Sequence, residues 1–222
     1  MSGTLSYSSI TKKIWMSLFG IFLMTFLVVH LSINLLLLFD PSRELFNIAA
    51  HFMGTNPVIQ VFQWVLFGGF IVHIILGAIL QIQNWIARPK GYKITGYSEE
   101  SIFSKYMIYT GIVIFIFLVI HLGNFFILKM QGAVPPFHGG AEEMEDMGSL
   151  VVNLFQNTGY VIFYVVLLLI MGFHLDHAFQ SAFQSLGLNH PKYTPFIKGF
   201  GHFFAIVITA GYIIIPLFIY FL

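Results

Sequence analysis

The chain has 222 residues, 58% of them hydrophobic and only 9% charged, and its mean hydropathy of +0.86 leaves too little polar surface for a water-soluble globule, so the bilayer is its solvent. A formal net charge of +1 excludes a general attraction to nucleic acid. The absence of cysteine excludes disulfides, thiolate metal sites, iron–sulfur ligation and covalent CxxCH attachment, which leaves histidine as the strongest available ligand for a transition metal or a haem iron.

Lys12 and Lys13 open the first apolar run, over 14–39. The run is long enough to span and carries no clean small-residue cleavage pattern, so it reads as a retained helix and not a signal peptide. Further runs over 58–86, 103–128, 154–183 and 196–222 each leave about 20 residues for the hydrocarbon core. No ten-residue alternation of the barrel type appears, and lipid requires every backbone polar group to be satisfied within the segment. The expected fold is therefore an all-α membrane protein, five transmembrane helices in one bundle domain over 1–222. Pro41, Pro57, Pro89, Pro135, Pro136, Pro191 and Pro195 mark turns at the edges of these runs, whereas Pro216 lies inside the last and predicts a kink.

Charge gives the direction. Lys12, Lys13, Arg88, Lys90, Lys93, Lys105, Lys192 and Lys198 fall on one side, against Arg43 and Lys129 on the other. Positively charged loops are retained in the cytoplasm, so the N-terminus is expected inside and the C-terminus outside. The acidic run Glu142, Glu143, Glu145 and Asp146 reads as a solvated outer loop, with calcium binding or a partner contact as the alternatives, and Trp15, Trp64 and Trp85 as interfacial anchors.

Four of the five spans carry a histidine deep in the apolar run: His30, His73, His121 and His174. An ionisable residue inside a membrane is a functional hypothesis in its own right. Helices one and three travel outward, with His30 eight residues before Leu38 and His121 seven before Leu128. Helices two and four travel inward, with His73 seven residues before Leu80 and His174 six before Gln180. Two pairs result, each roughly 10 Å from its own face of a core about 30 Å thick. A single such histidine reads as one hydrogen-bonded to a neighbouring helix. Four at paired depths read as two bis-histidine sites for noncovalent haem b, in which two axial imidazoles favour electron transfer over oxygen binding. Gly68, Gly69, Gly77, Gly111, Gly123 and Gly172 suit the approach of a flat macrocycle or of a second helix equally well.

The stretches VVHLSINLLL, GGFIVHIILG, LVIHLGNFF and, most specifically, MGFHLDHAFQSAFQSLGLNHPKYTP together resemble the dihaem cytochrome b anchor of b558-type succinate dehydrogenases and fumarate reductases, over nearly the whole chain. The resemblance implies that His73 and His174 hold the haem iron nearer the catalytic subunits, and His30 and His121 the distal one. It also implies a flavoprotein carrying FAD and an iron–sulfur subunit on the cytoplasmic side of a bacterial inner membrane. The succinate site would lie on those partners, docked on basic loops around Arg88, Lys90, Lys93, Lys192 and Lys198. Menaquinone would react towards the distal haem, where Arg43, Glu44 and His51 are candidates. Some fumarate reductases of this family carry a glutamate two residues before the fourth haem histidine, proposed to move protons; here that position is Gly172.

Of the remaining polar residues, His177 falls on the His174 face and meets either a haem propionate or headgroups, Asp176 reads as a solvated carboxylate, and His138, His190 and His202 read as loop or interface residues. Two other readings stay open: the cytochrome b of a formate dehydrogenase or hydrogenase, and a transporter using histidines as proton relays or metal sites. The first tends to place two histidines on one helix. The second predicts a colourless protein, and no inverted repeat or pair of broken helices supports it.

Overall fold

A computed structural model describes residues 9–87, 102–138 and 143–221. Arg88, Pro89, Lys90, Lys93 and Glu142 lie outside the described residues, as does the side chain of Lys105. The elements in chain order are α1 (Ser9–Asn34), α2 (Leu36–Phe39), α3 (Glu44–Thr55), α4 (Pro57–Ala87), α5 (Ile102–Leu122), a π-helical turn (Gly123–Ile127), α6 (Leu128–Met130), α7 (Met147–Phe155), α8 (Thr158–Ser185) and α9 (Thr194–Phe221). Five of the helical stretches are long and apolar enough to cross a membrane: Ile10–Phe39, Pro57–Ile86, Tyr106–Met130, Thr158–Ser185 and Thr194–Phe221. The five-helix expectation is met.

Three differences from the expected boundaries have local causes. The segment between the first two spans is itself helical: Asp40 accepts hydrogen bonds from the Ser42 amide (3.0 Å), the Ser42 hydroxyl (2.6 Å) and the Leu45 amide (2.9 Å), which starts α3. Those same bonds, led by the Ser42 hydroxyl, lower the Asp40 carboxyl below its ordinary value. The fourth span begins at Thr158 and not at 154, because 154 and 155 end α7 and Asn157 caps α8 by accepting from the Tyr160 amide at 3.2 Å. The first and third spans are not uniform α-helix: a turn at Leu35 separates α1 from α2, and five residues after Leu122 wind as a π-helix. Pro216 is fully buried and the helix runs through it to Phe221. Pro57 and Pro195 sit in the first turns of α4 and α9, where a missing N–H costs nothing.

The helices alternate in direction, and α1, α4, α5 and α8 form a square. Helix α1 packs on α4 and α8, α8 packs on α5, and α4 meets α5 only sparsely. Among the described residues neither diagonal, α1 with α5 or α4 with α8, packs side by side. The core lies along α8, whose buried residues Val161, Tyr164, Leu168, Met171, Leu175, Phe179 and Ala182 recur every three or four positions. Small residues let α9 seat closely on this core. Gly201 faces Phe179 and Gly211 faces Leu31, and Thr209 fills the space beside Gly172, where a Cβ would come within 2.5 Å of its Oγ1. Trp15, Trp64 and Trp85 are 48%, 71% and 57% exposed, on outward faces as anchors require.

One end of the square is closed by a cap made of α3, α7 and the stretches 131–138 and 143–146. Phe137 donates its amide to the Met144 carbonyl (2.7 Å) and Asp146 donates its amide to the Pro135 carbonyl (2.8 Å), joining the two stretches. Asp146 is the hub of the cap. Its carboxylate accepts from the Asn47 amide (2.9 Å), the Ser149 amide (2.9 Å) and the Ser149 hydroxyl (2.6 Å), with the Arg43 guanidinium at 3.7 Å. Asn47, fully buried, accepts in turn from the Gly148 amide at 2.8 Å. The acidic run is thus not simply a solvated loop: Glu143 is exposed, but Glu145 pairs with Lys129 at 3.1 Å and Asp146 is buried as the N-cap of α7. A helix N-terminus and four donors suffice to hold a carboxylate there.

Candidate functional site

The square places each of the four histidines on a different helix, and the two candidate pairs fall on its two diagonals. His30 on α1 and His121 on α5 meet across the first, with ring centroids 5.8 Å apart and planes at 84°. An iron held at about 2 Å by a nitrogen of each of two imidazoles requires ring centres roughly 6 Å apart, so the separation suits a shared axial position. His73 on α4 and His174 on α8 occupy the second diagonal, His174 lying within electrostatic reach of both His73 and His177.

What flanks each ring differs between the pairs. At the second diagonal small residues stand beside the imidazoles: a Cβ on Gly20 would lie 3.8 Å from His73 Cε1, and one on Gly111 would lie 3.7 Å from His174 Cε1. Thr110 Oγ1 hydrogen-bonds His174 Nδ1 at 3.0 Å. At the first diagonal the flanking groups are aromatic. His30 stacks on Phe26 at 5.2 Å and tilts against Tyr212 at 6.1 Å, while His121 is enclosed by Phe125 (5.1 Å), Phe117 (5.7 Å) and Tyr164 (6.3 Å). The Tyr212 hydroxyl donates to the Leu27 carbonyl at 2.8 Å, and the Asn34 amide donates to the His30 carbonyl at 2.7 Å.

The donor set can be tested against a haem. His73 Nδ1 and His121 Nδ1 are buried with no hydrogen-bond partner among the described residues, an arrangement that costs about 1–3 kcal/mol per group unless something offsets it. Both residues are nevertheless only half-buried, so what each leaves accessible is the rest of the side chain. Among the described residues no group of three or more His, Cys, Asp or Glu converges. Two imidazoles leave the other positions of a metal to be filled by another group, which is what a porphyrin would supply. At the first diagonal the 5.8 Å between the His30 and His121 rings leaves room for a metal between two imidazoles, and the buried Nδ1 atoms of His73 and His121 are of the kind such a group would hold in place.

The six glycines divide. Gly111 lies beside His174, Gly69 meets Phe22, Gly77 meets Met16 and Gly172 meets Thr209, whereas a Cβ on Gly68 or Gly123 would enter open space. Of the three quinone candidates, all at the capped end, His51 lines a cleft about 490 Å3 in volume with Gly54, Thr55, Lys129 and Glu145. Arg43 adopts a left-handed backbone (φ 65°) and lays its side chain over Gly148 towards Asp146, its Nε buried without a partner among the described residues. Glu44 lies in the first turn of α3, half-buried. At the other end Asp176 is not a free carboxylate: it pairs with His202 Nδ1 at 2.6 Å and accepts from Gln180 at 3.2 Å, tying α8 to α9.

Thr110, Asn124, Tyr164 and Tyr212 are the site residues that sequence reasoning passed over. Each is a polar side chain within a predominantly apolar spanning segment, and that placement is the signal that marks them. No family model, no curated protein and no solved structure matches the chain.

Proposed function

We propose that this chain is the membrane anchor of a succinate:quinone oxidoreductase, a succinate dehydrogenase or fumarate reductase of the respiratory chain, and binds two b haems. The observation that carries the reading is the perpendicular meeting of His30 and His121 across one diagonal of a four-helix square whose other diagonal carries His73 and His174. Bound there, the two haems supply one-electron carriers in series between an iron–sulfur partner and the membrane quinone. The chain's own part is to hold both positions in an apolar, water-excluding interior and to fix the imidazoles on helices that cannot slide independently.

The end bearing Lys12, Lys13, Lys192 and Lys198 faces the cytoplasm in this reading, in a bacterial inner membrane. It receives the iron–sulfur and flavoprotein subunits, and the succinate site lies on the FAD-bearing partner. The capped end faces outward, and both of its cations are already paired, Arg43 with Asp146 and Lys129 with Glu145. Menaquinone reacts at that end, where the cleft lined by His51 is the favoured place for it.

The decisive experiment is an absorbance spectrum of the purified protein before and after dithionite, with haem quantified per chain. Two haems per chain, with a split or broad alpha band, support the proposal. A pure preparation made with ample haem supply and containing no porphyrin overturns it. Co-purification of a hydrogenase or formate dehydrogenase subunit in place of a flavoprotein would reassign the partners and leave the haem ligands standing.

A further inference from the structure

His174 has a hydrogen-bond partner for its Nδ1 in Thr110, and His121 has none for its own among the described residues. An imidazole without that bond keeps its ring plane only if its surroundings are shaped to it. Around His121 three aromatic rings do this, and Tyr164 is singular among them because it is anchored at its far end. Its hydroxyl accepts from the Asn124 side-chain amide at 3.0 Å, across from α8 to the helix that carries His121. Its ring is held on other sides by Phe155 at 5.0 Å, Phe117 at 5.1 Å and Phe163 at 6.0 Å, and the residue is 4% exposed.

The backbone beneath Asn124 is equally particular. The π-helical turn begins at Gly123, two residues after His121, and includes Asn124. Such a turn inserts an extra residue into the helix and redirects the side chains that follow, and it occurs mostly at functional sites because it is less favourable than the α-helix it interrupts. Here it lies directly beyond the histidine and contains the one side chain that reaches Tyr164 from that helix by a hydrogen bond. Tyr212 stands in the corresponding position beside His30, but its hydroxyl is bonded to a backbone carbonyl of His30's own helix. It therefore braces α9 against α1, whereas the Asn124–Tyr164 bond braces a ligand ring.

We propose that Asn124 and Tyr164 are positioning residues that set the ring plane of His121, with the π-helical turn as the backbone device that brings them together. The inference rests on the haem reading of the preceding section. It assigns to this pair, at the His30–His121 site, the part that Thr110 plays directly for His174.

The test uses the intact membrane protein with its haems. The low-spin EPR signal of a bis-imidazole haem depends on the angle between its two imidazole planes, so Tyr164→Phe and Asn124→Ala should each move the signal of the His30–His121 haem and shift its midpoint potential. The signal and potential of the His73–His174 haem should stay where they are. Tyr164→Phe combined with Asn124→Ala removes both partners and leaves no orphaned amide, so a purely structural bond would be repaired in the double variant. Positioning predicts that the EPR shift persists there, and that Asn124→Asp, which keeps the side-chain length and can still pair with the Tyr164 hydroxyl, stays close to the parent value. Haem content per chain identifies any variant that fails to fold. An unchanged signal in every variant that retains two haems overturns the inference alone, as does an equal shift at both haems. A parent protein without haem overturns the functional proposal and this inference with it.

Discussion

The two ends of the helical square keep their histidines in different ways. At the capped end the rings of His30 and His121 stand 5.8 Å apart, are walled by aromatic side chains, and lie in the part of the bundle closed by α3 and α7. At the opposite end His73 and His174 stand beside Gly20 and Gly111, one of them held by a threonine, and the Asp176 carboxylate meets His202 Nδ1 between α8 and α9. One site is built by filling space and the other by leaving it. The contrast shows that equal ligand chemistry does not demand equal surroundings: at the capped end packing surrounds the rings, and at the other a threonine holds one of them.

The largest effect is expected on removing one ligand at a time. His121→Ala should reduce haem from two per chain to one and leave the His73–His174 absorbance in place, and His174→Ala should do the converse. Loss of both haems from either single change would show that the ends do not assemble independently. Next comes the cap. Asn47→Ala deletes a fully buried amide that joins Asp146 to Gly148, at a cost of about 1–3 kcal/mol. Limited proteolysis should then cut the segment 131–146 faster while the His73–His174 spectrum is retained.

A smaller effect tests the seam that runs past both ends. In Gly172→Ala the new Cβ meets Thr209 Oγ1, and a lowered melting temperature equivalent to about 1 kcal/mol is expected, at the low end of overpacking because two helices can adjust. Thr209→Ala in the same chain should restore most of it. The smallest effect is on pH dependence. Burial works to raise the Asp146 carboxyl, but the Ser149, Asn47 and Arg43 contacts outweigh it and hold the group below its ordinary value of 3.8. A depressed carboxyl stabilises the fold fully above the unfolded value and loses that contribution as pH falls through the folded one. The cap should therefore resist proteolysis unchanged down to about pH 4 and loosen below it, and Asp146→Asn should flatten that acid dependence.

Much of the bundle was legible in the sequence because spanning helices announce themselves by length and apolarity, and because a histidine in such a run is conspicuous at any depth. Counting residues from His30 and His121 to the ends of their runs placed them at one level, and their rings meet. The cap was not legible by the same means. Helix α3 is twelve residues of moderate apolarity, too short for a hydropathy window, and its best marker was the Asp40–Pro41–Ser42 start that capping chemistry explains. Asp146 was misread for a related reason: within an acidic run charge suggests water, and only the partners brought by folding, Asn47 from 99 positions away among them, reveal a buried hub. The π-helical turn has no sequence signature beyond a glycine in an apolar helix, and so Asn124 could be seen as unusual but not as aimed.

The diagonal arrangement also fixes an order of assembly. Ribosomes deliver α1 and α4 first, yet these adjacent helices carry one histidine from each pair and so complete neither. Insertion of α5 gives His30 its counterpart, while His73 must wait for α8. The capped-end pair is thus complete one spanning helix earlier during biogenesis, and a chain truncated after α6 would already contain one complete pair and half of the other.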